Sequence, residues 1–416
     1  MTPEVKERIE QIRHGIVPVG YQKTKAGILP KDWSVYTIGE CLERVERPVS
    51  VQPNEMYTQI GIRSHGKGLF YKEPVSGESI GNKAVFWIEP DCFVLNIVFA
   101  WEQAIGKTTQ NEVGMIGSHR FPMYRPTGDT IDIDYLISYL MTKRGKDILE
   151  AASPGGAGRN RTLGQDRFFK SKIILPPLAE QRRIAEILTA QDKVIELKEK
   201  LLAEKQRQKK YLMQQLLTGK KRLTGFDGEW MYVHANQIFK NVTDKQHDGT
   251  LEVLSATQDR GIIPRSQVDI DIKYAEESLT GYKKVEKGNF VISLRSFQGG
   301  IEYSEYSGIV SPAYTVLSSI SPIEDNYYKQ FFKSTDYISR LNIAVYGIRD
   351  GKQISYNDFG RIKIPYPPLD EQKAIATILS SADKEIDILK QAIEQEKQKK
   401  KALVQLLLTG IVRVNS

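Results

Sequence analysis

A block of 48 residues occurs twice in this chain, at 176–223 and 367–414. The first copy opens Pro176-Pro177-Leu178-Ala179-Glu180-Gln181 and closes Leu216-Leu217-Thr218-Gly219. The second opens Pro367-Pro368-Leu369-Asp370-Glu371-Gln372 and closes Leu407-Leu408-Thr409-Gly410. The copies align without a gap at an offset of 191, with 21 of 48 positions identical. A gapless match of that length marks a tandem duplication. A duplicated chain can set two similar modules about a pseudo-two-fold axis, so it suits an object that needs two similar but non-identical contacts.

Both copies read as long helices. Proline suits a first turn, Glu180 and Glu371 complement the positive end of the helix dipole, and Gly219 and Gly410 are stop signals. Neither helical run contains an internal glycine or proline. A seven-residue row runs Leu188, Ile195, Leu202, Lys209, Leu216, and its counterpart runs Leu379, Ile386, Ile393, Lys400, Leu407. A lysine interrupts both rows at the same place. A second row, Ile184 and Leu212 against Ile375 and Leu403, is apolar at its ends and mostly polar between. The pattern predicts a coiled-coil-like seam with a weakened centre. A helix of about 40 residues extends roughly 60 Å and cannot bury its stripe alone. The simplest partner is the other copy, and Leu188, Ile195, Leu202, Leu216, Leu379, Ile386, Ile393 and Leu407 form the expected helix-pair and subunit interface.

The remaining segments are β-rich. Val85–Ile88, Phe93–Leu95, Lys172–Leu175, Phe290–Ile292 and Tyr314–Leu317 read as strands between Gly- and Asp-rich turns, and helices are expected near Ile133–Glu150 and Asn326–Ile343. The two segments echo each other weakly: Trp33 and Trp230, Gly68 and Gly261, Phe93 and Phe290, Ser118 and Ser311, Phe168 and Phe359 fall in matching order. The expected division is therefore an N-terminal segment and first module at 1–175, a first helix block at 176–223, a second module at 224–366 and a second helix block at 367–416. Residues 1–30 read as a short amphipathic helix carrying Val5, Ile9 and Ile12, then a basic linker. The fold class is α+β: two β-rich mixed modules separated by two long antiparallel helices.

A net charge of +8 suggests a polyanionic partner. By segment it divides as +3, +6, −2 and +1, so the excess sits on the first helix block and any nucleic-acid surface on the modules is a local patch. The Lys/Glu-rich run Lys198–Lys210 fits the solvated face of a coiled coil, or a strip along DNA phosphates. Two cysteines, Cys41 and Cys92, are too few for a disulfide framework, and five scattered histidines have no metal-ligand spacing, so no metal site is expected. The N-terminus does not read as a signal peptide and no apolar run is long enough to span a bilayer, which points to a cytoplasmic protein.

The search for chemistry is empty. Glu102–Thr108 ends like a P-loop, but Trp101 stands where the first glycine belongs, so the backbone cannot cradle phosphate. Ser311-Pro312-Ala313-Tyr314 resembles an amino-methyltransferase tetrapeptide without a Gly-rich cofactor loop before it, and reads as a turn into a strand. Asp91 and Glu102 lack the lysine of nuclease motifs. No catalytic constellation stands out.

Several loops instead combine glycine with Arg, Lys, Gln or His. They carry Arg63, His65 and Lys67, matched by Gln258 and Arg260; Arg295 and Gln298; and Arg159 and Arg161, matched by Arg349 and Lys352. Arginine suits guanine and glutamine suits adenine, and glycine lets backbone approach phosphate. Any one of these residues also fits a solvated surface loop. Their recurrence at equivalent points of both modules makes the group a candidate DNA-binding set.

Two β-rich modules, each followed by a PPL-x-EQ-x-x-I-A-x-IL helix ending in LLTG, resemble the specificity subunit of type I restriction-modification systems over essentially the whole chain. The resemblance implies target-recognition domains at opposite ends of two antiparallel spacer helices. Each would read half of a gapped DNA target, with helix length setting the unread gap. It implies double-stranded DNA and two modification subunits as partners, with two restriction subunits in a restriction-competent system. S-adenosylmethionine, ATP and Mg would serve those partners, and this chain would hold no cofactor and carry no catalysis. Two rival classes remain: a single-chain methyltransferase or nuclease, for which only the first 30 residues are left to supply a catalytic domain, and a coiled-coil scaffold with protein-binding heads.

Overall fold

The computed structural model describes residues 2–25, 27–155, 161–268, 276–344 and 354–414. The chain divides into two compact units, Met1–Leu197 with Ile393–Ser416, and Lys198–Ala392. The division cuts across the four sequence segments, because each unit holds one module and half of both long helices. Those helices run Leu178–Leu216 and Leu369–Leu407. Each starts just after its proline pair and is followed by a glycine with φ of 70°, at Gly219 and Gly410, the left-handed conformation that ends helices.

In the first unit the module opens with strand Ser34–Thr37 and closes with Lys172–Leu175, and these two pair antiparallel. The chain therefore leaves the module where it entered, at the foot of the first long helix. Between them lies a four-stranded antiparallel sheet in the order Ile105–Lys107, Phe93–Leu95, Met123–Pro126, Leu42–Val45. Smaller pairs flank it: Val85–Trp87 with Ile116–Ser118, Ile60–Ile62 with Leu69–Tyr71, and Met56–Tyr57 with Val75–Ser76. The core gathers Phe93, Tyr124, Tyr135, Leu136 and Phe168 against Ile184 and Leu188 of the first helix and Leu407 of the second. Each such side chain contributes about 1.5–3 kcal/mol when fully buried.

The second unit repeats this plan. Met231–His234 pairs with Lys363–Tyr366. The central sheet runs Glu302–Tyr303, Phe290–Ile292, Thr315–Ser319, Phe239–Val242. Lys283–Val285 pairs with Gly308–Val310, and Leu254–Thr257 with Gly261–Pro264. Its core is more aromatic, with Phe239, Phe290, Tyr328, Phe331, Phe332, Tyr337 and Phe359 buried beside Leu216, Ile375 and Leu379. The order of the central sheet is thus the same in two modules whose sequences match only at scattered points, while the Met56–Tyr57 and Val75–Ser76 pair has no counterpart among the described residues of the second. Phe93 and Phe290 occupy the same strand, and Phe168 and Phe359, both fully buried, the same short helix.

The expected helix near Ile133–Glu150 is two helices, Ile133–Leu140 and Lys143–Ala152. Thr142 stops the first by capping the second, accepting from the Gly145 amide at 3.1 Å, and a Cβ on Gly145 would lie 2.3 Å from Leu140. The second module breaks likewise into Asp325–Phe331 and Thr335–Ala344, where Ser334 Oγ accepts from the Tyr337 amide at 3.2 Å. The basic linker contains a hairpin, Tyr21–Thr24 with Gly27–Pro30, after helix Pro3–Arg13. Tyr21 donates its hydroxyl to the Gly410 carbonyl at 2.7 Å.

The Glu-Gln pair at the start of each repeat is a lock. In the first unit Glu180, 2% exposed, accepts from Trp33 Nε1 at 3.2 Å and from Arg413 at 2.7 and 2.8 Å. In the second, Glu371, fully buried, accepts from Trp230 Nε1 at 2.8 Å and from Arg222 at 2.7 and 2.8 Å. These hydrogen bonds hold both guanidiniums above the ordinary arginine range. The contacts are reciprocal: each arginine follows one helix and binds the glutamate that begins the other. Gln181 and Gln372, fully buried, each donate to the carbonyl of the first proline, at 2.9 and 2.8 Å, and accept from the amide that opens a module helix, Asp132 or Glu324, at 2.9 Å.

Within each unit the half-helices run antiparallel. Seven of the eight expected seam residues are buried, and Leu202 is half-buried. The lysine that interrupts the row faces an aspartate of the other helix in each unit. Lys400 pairs with Asp192 at 2.5 Å in the first unit, and Lys209 with Asp383 at 2.5 Å in the second. Gln191, 6% exposed, donates to Glu396 at 2.8 Å. Polar positions in the seam are therefore matched across it. Among the described residues no helix is long and apolar enough to cross a membrane.

Candidate nucleic-acid interface

In the first unit, strands Ile60–Ile62 and Leu69–Tyr71 project a hairpin whose tip carries Arg63, His65 and Lys67. The tip turns through positive φ at His65 (61°), Gly66 (62°) and Gly68 (71°). The positive φ favours glycine at position 66, and a Cβ there would also lie 2.5 Å from the Met141 sulfur, which would have to move. The tip is tied to the loop joining Phe93–Leu95 and Ile105–Lys107. The His65 and Gly66 amides donate to the carbonyls of Glu102 and Gln103 at 2.8 and 2.9 Å. Ser64 Oγ donates to the Glu102 carboxylate at 2.7 Å. Gln103, itself at φ 57°, anchors the loop by donating Nε2 to the Leu140 carbonyl at 2.8 Å.

Among the described residues, the candidate arginines Arg63 and Arg161 of this surface lie against aromatic rings. Arg63 donates to the Leu69 carbonyl at 2.6 Å and lies 4.9 Å from the Phe70 ring centroid. Part of its donor fork therefore braces the hairpin. Arg161 lies 5.3 Å from the centroid of Trp101, whose Nε1 donates to the Val98 carbonyl at 3.1 Å. Such stacking contributes about 0.5–1 kcal/mol at exposed sites and restricts the guanidinium's orientation. The sequence set thus converges: the hairpin tip, the loop with Trp101, and Arg161 meet. Arg159, Arg349 and Lys352 lie outside the described residues.

In the second unit, strands Leu254–Thr257 and Gly261–Pro264 present Gln258 and Arg260 at an exposed tip. Gly261 has φ 75° and would place a Cβ 2.6 Å from the Tyr303 carbonyl. Arg260 donates to the Gln267 carbonyl at 3.2 Å and approaches Asp259 at 3.8 Å. The neighbouring loop folds into one helical turn, Ser296–Gly299, with Arg295 before it and Gln298 on it, both exposed. Gln258 packs against Gly299, where an added Cβ would come 2.9 Å from Gln258 Cγ. Tip and loop again meet. A cleft of about 700 Å³ beside them is lined by Gln258, Arg260, Lys329 and Lys390 together with Asp259 and Asp387.

Residues the sequence reading missed stand at these junctions. Trp101 and Glu102 occupy the loop equivalent to Arg295–Gly299, and extending the Phe93/Phe290 match would have set Trp101 opposite Gln298. Lys333 is the other, and no sequence pattern marks it. Glu102–Thr108 is confirmed as something other than a phosphate loop, since Ile105–Lys107 is a sheet strand. Ser311–Tyr314 is a turn leading into strand Thr315–Ser319, with the Tyr314 amide donating to the Ser311 carbonyl at 3.0 Å. Both cysteines are buried, and burial pushes both thiols up. Among the described residues no group of three His, Cys, Asp or Glu side chains is placed to hold a metal ion. What each surface offers is a group of hydrogen-bond donors gathered at an exposed hairpin tip, which suits base edges and phosphates.

A family model for the type I restriction modification DNA specificity domain matches this chain twice, over residues 30–206 and 228–398. The putative type I restriction enzyme MjaX specificity subunit of Methanocaldococcus jannaschii is 26% identical over 431 residues, spanning 95% of this chain and 97% of that protein. In fold, the chain is similar to the HsdS subunit from Thermoanaerobacter tengcongensis, with a TM-score of 0.52 at 21% identity, covering 92% of this chain and 98% of that one. A chain from a structure concerned with complex assembly and conformational transition of the type I R-M system gives 0.57 at 20% identity, covering 92% and 99%. Each family match spans one module and most of the helix that follows it, the same unit that the internal repeat and the shared strand order delimit. The chain belongs to the type I restriction-modification DNA specificity subunit family.

Proposed function

We propose that this chain is the non-catalytic reader of a two-part, gapped DNA target, each module taking one half. The observation that carries this is the recurrence, on one central-sheet order, of a hairpin tip held against the neighbouring sheet loop, with Arg, Lys, Gln or His exposed at the tip in each module. Arg63, His65, Lys67 and Arg161 serve the first half-site. Gln258, Arg260, Arg295 and Gln298 serve the second. Arg159, beside Arg161 in sequence, and its counterparts Arg349 and Lys352 in the second module belong to the same proposed set. Different side chains on equivalent loops make the two half-sites different, and so the target asymmetric.

In this reading two modification subunits bind the chain, hold S-adenosylmethionine and methylate one adenine per half-site after flipping it from the duplex. Two restriction subunits, in a restriction-competent system, use ATP and Mg. This chain holds none of these cofactors. The test is co-expression with the cognate modification subunit in a methylation-free host, followed by methylome sequencing. The expected result is one gapped motif with an adenine methylated in each half. Methylation by this chain alone would make it an enzyme. No motif with its partner present would favour a scaffold.

A further inference from the structure

We infer that Lys333 is a positioning residue for the second half-site, clamping the hairpin tip to its neighbouring loop; this rests on the DNA-reading role proposed for that surface. Lys333 follows helix Asp325–Phe331, at the bend between fully buried Phe332 and the helix-capping Ser334. Its ammonium donates to three acceptors on three different segments. They are the Gln258 carbonyl of the hairpin tip at 3.2 Å, the Gly299 carbonyl of the loop at 2.9 Å, and Glu302 Oε1 of the edge strand at 2.5 Å. Three donors are all that an ammonium has, so the group is saturated by the clamp.

The surroundings fix the lysine in turn. A Cβ on Gly300, at φ 81°, would lie 2.0 Å from the Phe332 carbonyl, so the loop rests directly on the bend that carries Lys333. Glu302 is 2% exposed, and its second oxygen has no hydrogen-bond partner among the described residues. Burial pushes this carboxyl up, and the Lys333 ammonium beside it opposes that shift. In the first unit the equivalent tie is made by the backbone amides of His65 and Gly66. The first reading surface is therefore held by backbone amides together with the Ser64 hydroxyl on the Glu102 carboxylate, and the second by a lysine ammonium. Without the ammonium, Gln258 and Arg260 lose their fixed relation to Arg295 and Gln298, and selectivity at that half-site falls while the first is untouched.

The test compares methylation of duplexes carrying single base changes in either half, using the complex of this chain with its modification subunits. Because Lys333→Met leaves Glu302 buried and unpaired, it is accompanied by the double variant Lys333→Leu with Glu302→Leu, which replaces the pair by apolar groups of similar size. The expected result for the double variant is a cooperative unfolding transition like wild type and about a 10-fold loss of base discrimination in the second half-site, the size of one misplaced base contact. First-half discrimination stays at the wild-type value. Lys333→Arg, which retains the cation and its donors, recovers part of the loss. Wild-type selectivity in a folded double variant, or equal loss in both halves, overturns the inference. A wild-type complex with no two-part target overturns the DNA-reading role itself.

Discussion

The helix ends and the reading tips of this duplicated chain have kept different things. At the helix ends both copies retain the same residues in the same contacts: Trp33, Glu180 and Arg413 in one unit, Trp230, Glu371 and Arg222 in the other. At the tips they retain strand order and close approach but not side chains. One tip offers Arg63, His65 and Lys67, the other Gln258 and Arg260, and even the tie beneath differs. The difference follows burial. A buried carboxylate that loses its donors is left uncompensated, so such a residue can change only together with its partners. An exposed donor at a tip answers to whatever it touches, and two copies reading different half-sites are free to diverge.

The strongest way to break this comparison is at the clasp. Glu371→Ala strands Arg222 and Trp230 and is expected to lower stability by about 3 kcal/mol, with Glu180→Ala doing the same in the first unit. Urea titration measures both, and a large effect in one unit alone would end their equivalence. Gly300→Ala comes next, at about 2–3 kcal/mol, because the residue is left-handed and its Cβ would press on the Phe332 carbonyl. The equivalent Gln103 already tolerates φ 57°, so Gln103→Gly should lose less, by thermal unfolding.

Arg161→Ala sharpens the other side. It should reduce discrimination by about 1–2 kcal/mol at the first half-site only, read as relative methylation of base-substituted duplexes. Equal loss at both halves would assign Arg161 to phosphate contact. The smallest effect is acid-dependent. Arg413 also donates to Asp32 at 2.6 Å, and that hydrogen bond holds the Asp32 carboxyl below its ordinary range, against a smaller opposing effect of burial. A depressed carboxyl contributes stability that is complete above its unfolded value, about pH 3.9, and is lost as pH falls through the lower folded value. Asp32→Asn should therefore cost under ~1 kcal/mol near neutrality, and its difference from wild type should vanish on acidification. In the second unit Arg222 instead donates to the Gly228 carbonyl at 2.5 Å, which cannot titrate, so that clasp should show no matching acid step.

Much of the fold was legible along the chain. Gly219 and Gly410 end helices as their positions implied, and the matched pairs Gly68/Gly261 and Phe93/Phe290 do stand at equivalent points. The partners of the lysines in the helix rows were not legible, because a row of side chains carries no sign of what faces it. Lys209 and Lys400 do interrupt the apolar rows, and the structure adds that they pair with Asp383 and Asp192. Glu180 and Glu371 stand in the first helical turns, as dipole complements do, and are in addition buried clasps. Of the candidate binding residues, those within reach of description did gather at tip and loop, but Trp101 and Lys333 were invisible, one hidden in a failed phosphate motif and the other in an unremarkable helix end.

The sequence by itself determined the duplication, the two long helices and the family, because helix period, caps and repeat identity are written over neighbouring residues. Only the tertiary structure decided which loops meet and what fastens them. Lys333 clamps a carbonyl 75 residues away, and Arg413 reaches a glutamate 233 residues away. Pairings of that range arise from the packing of whole elements, and a buried charged side chain has the same letter as an exposed one.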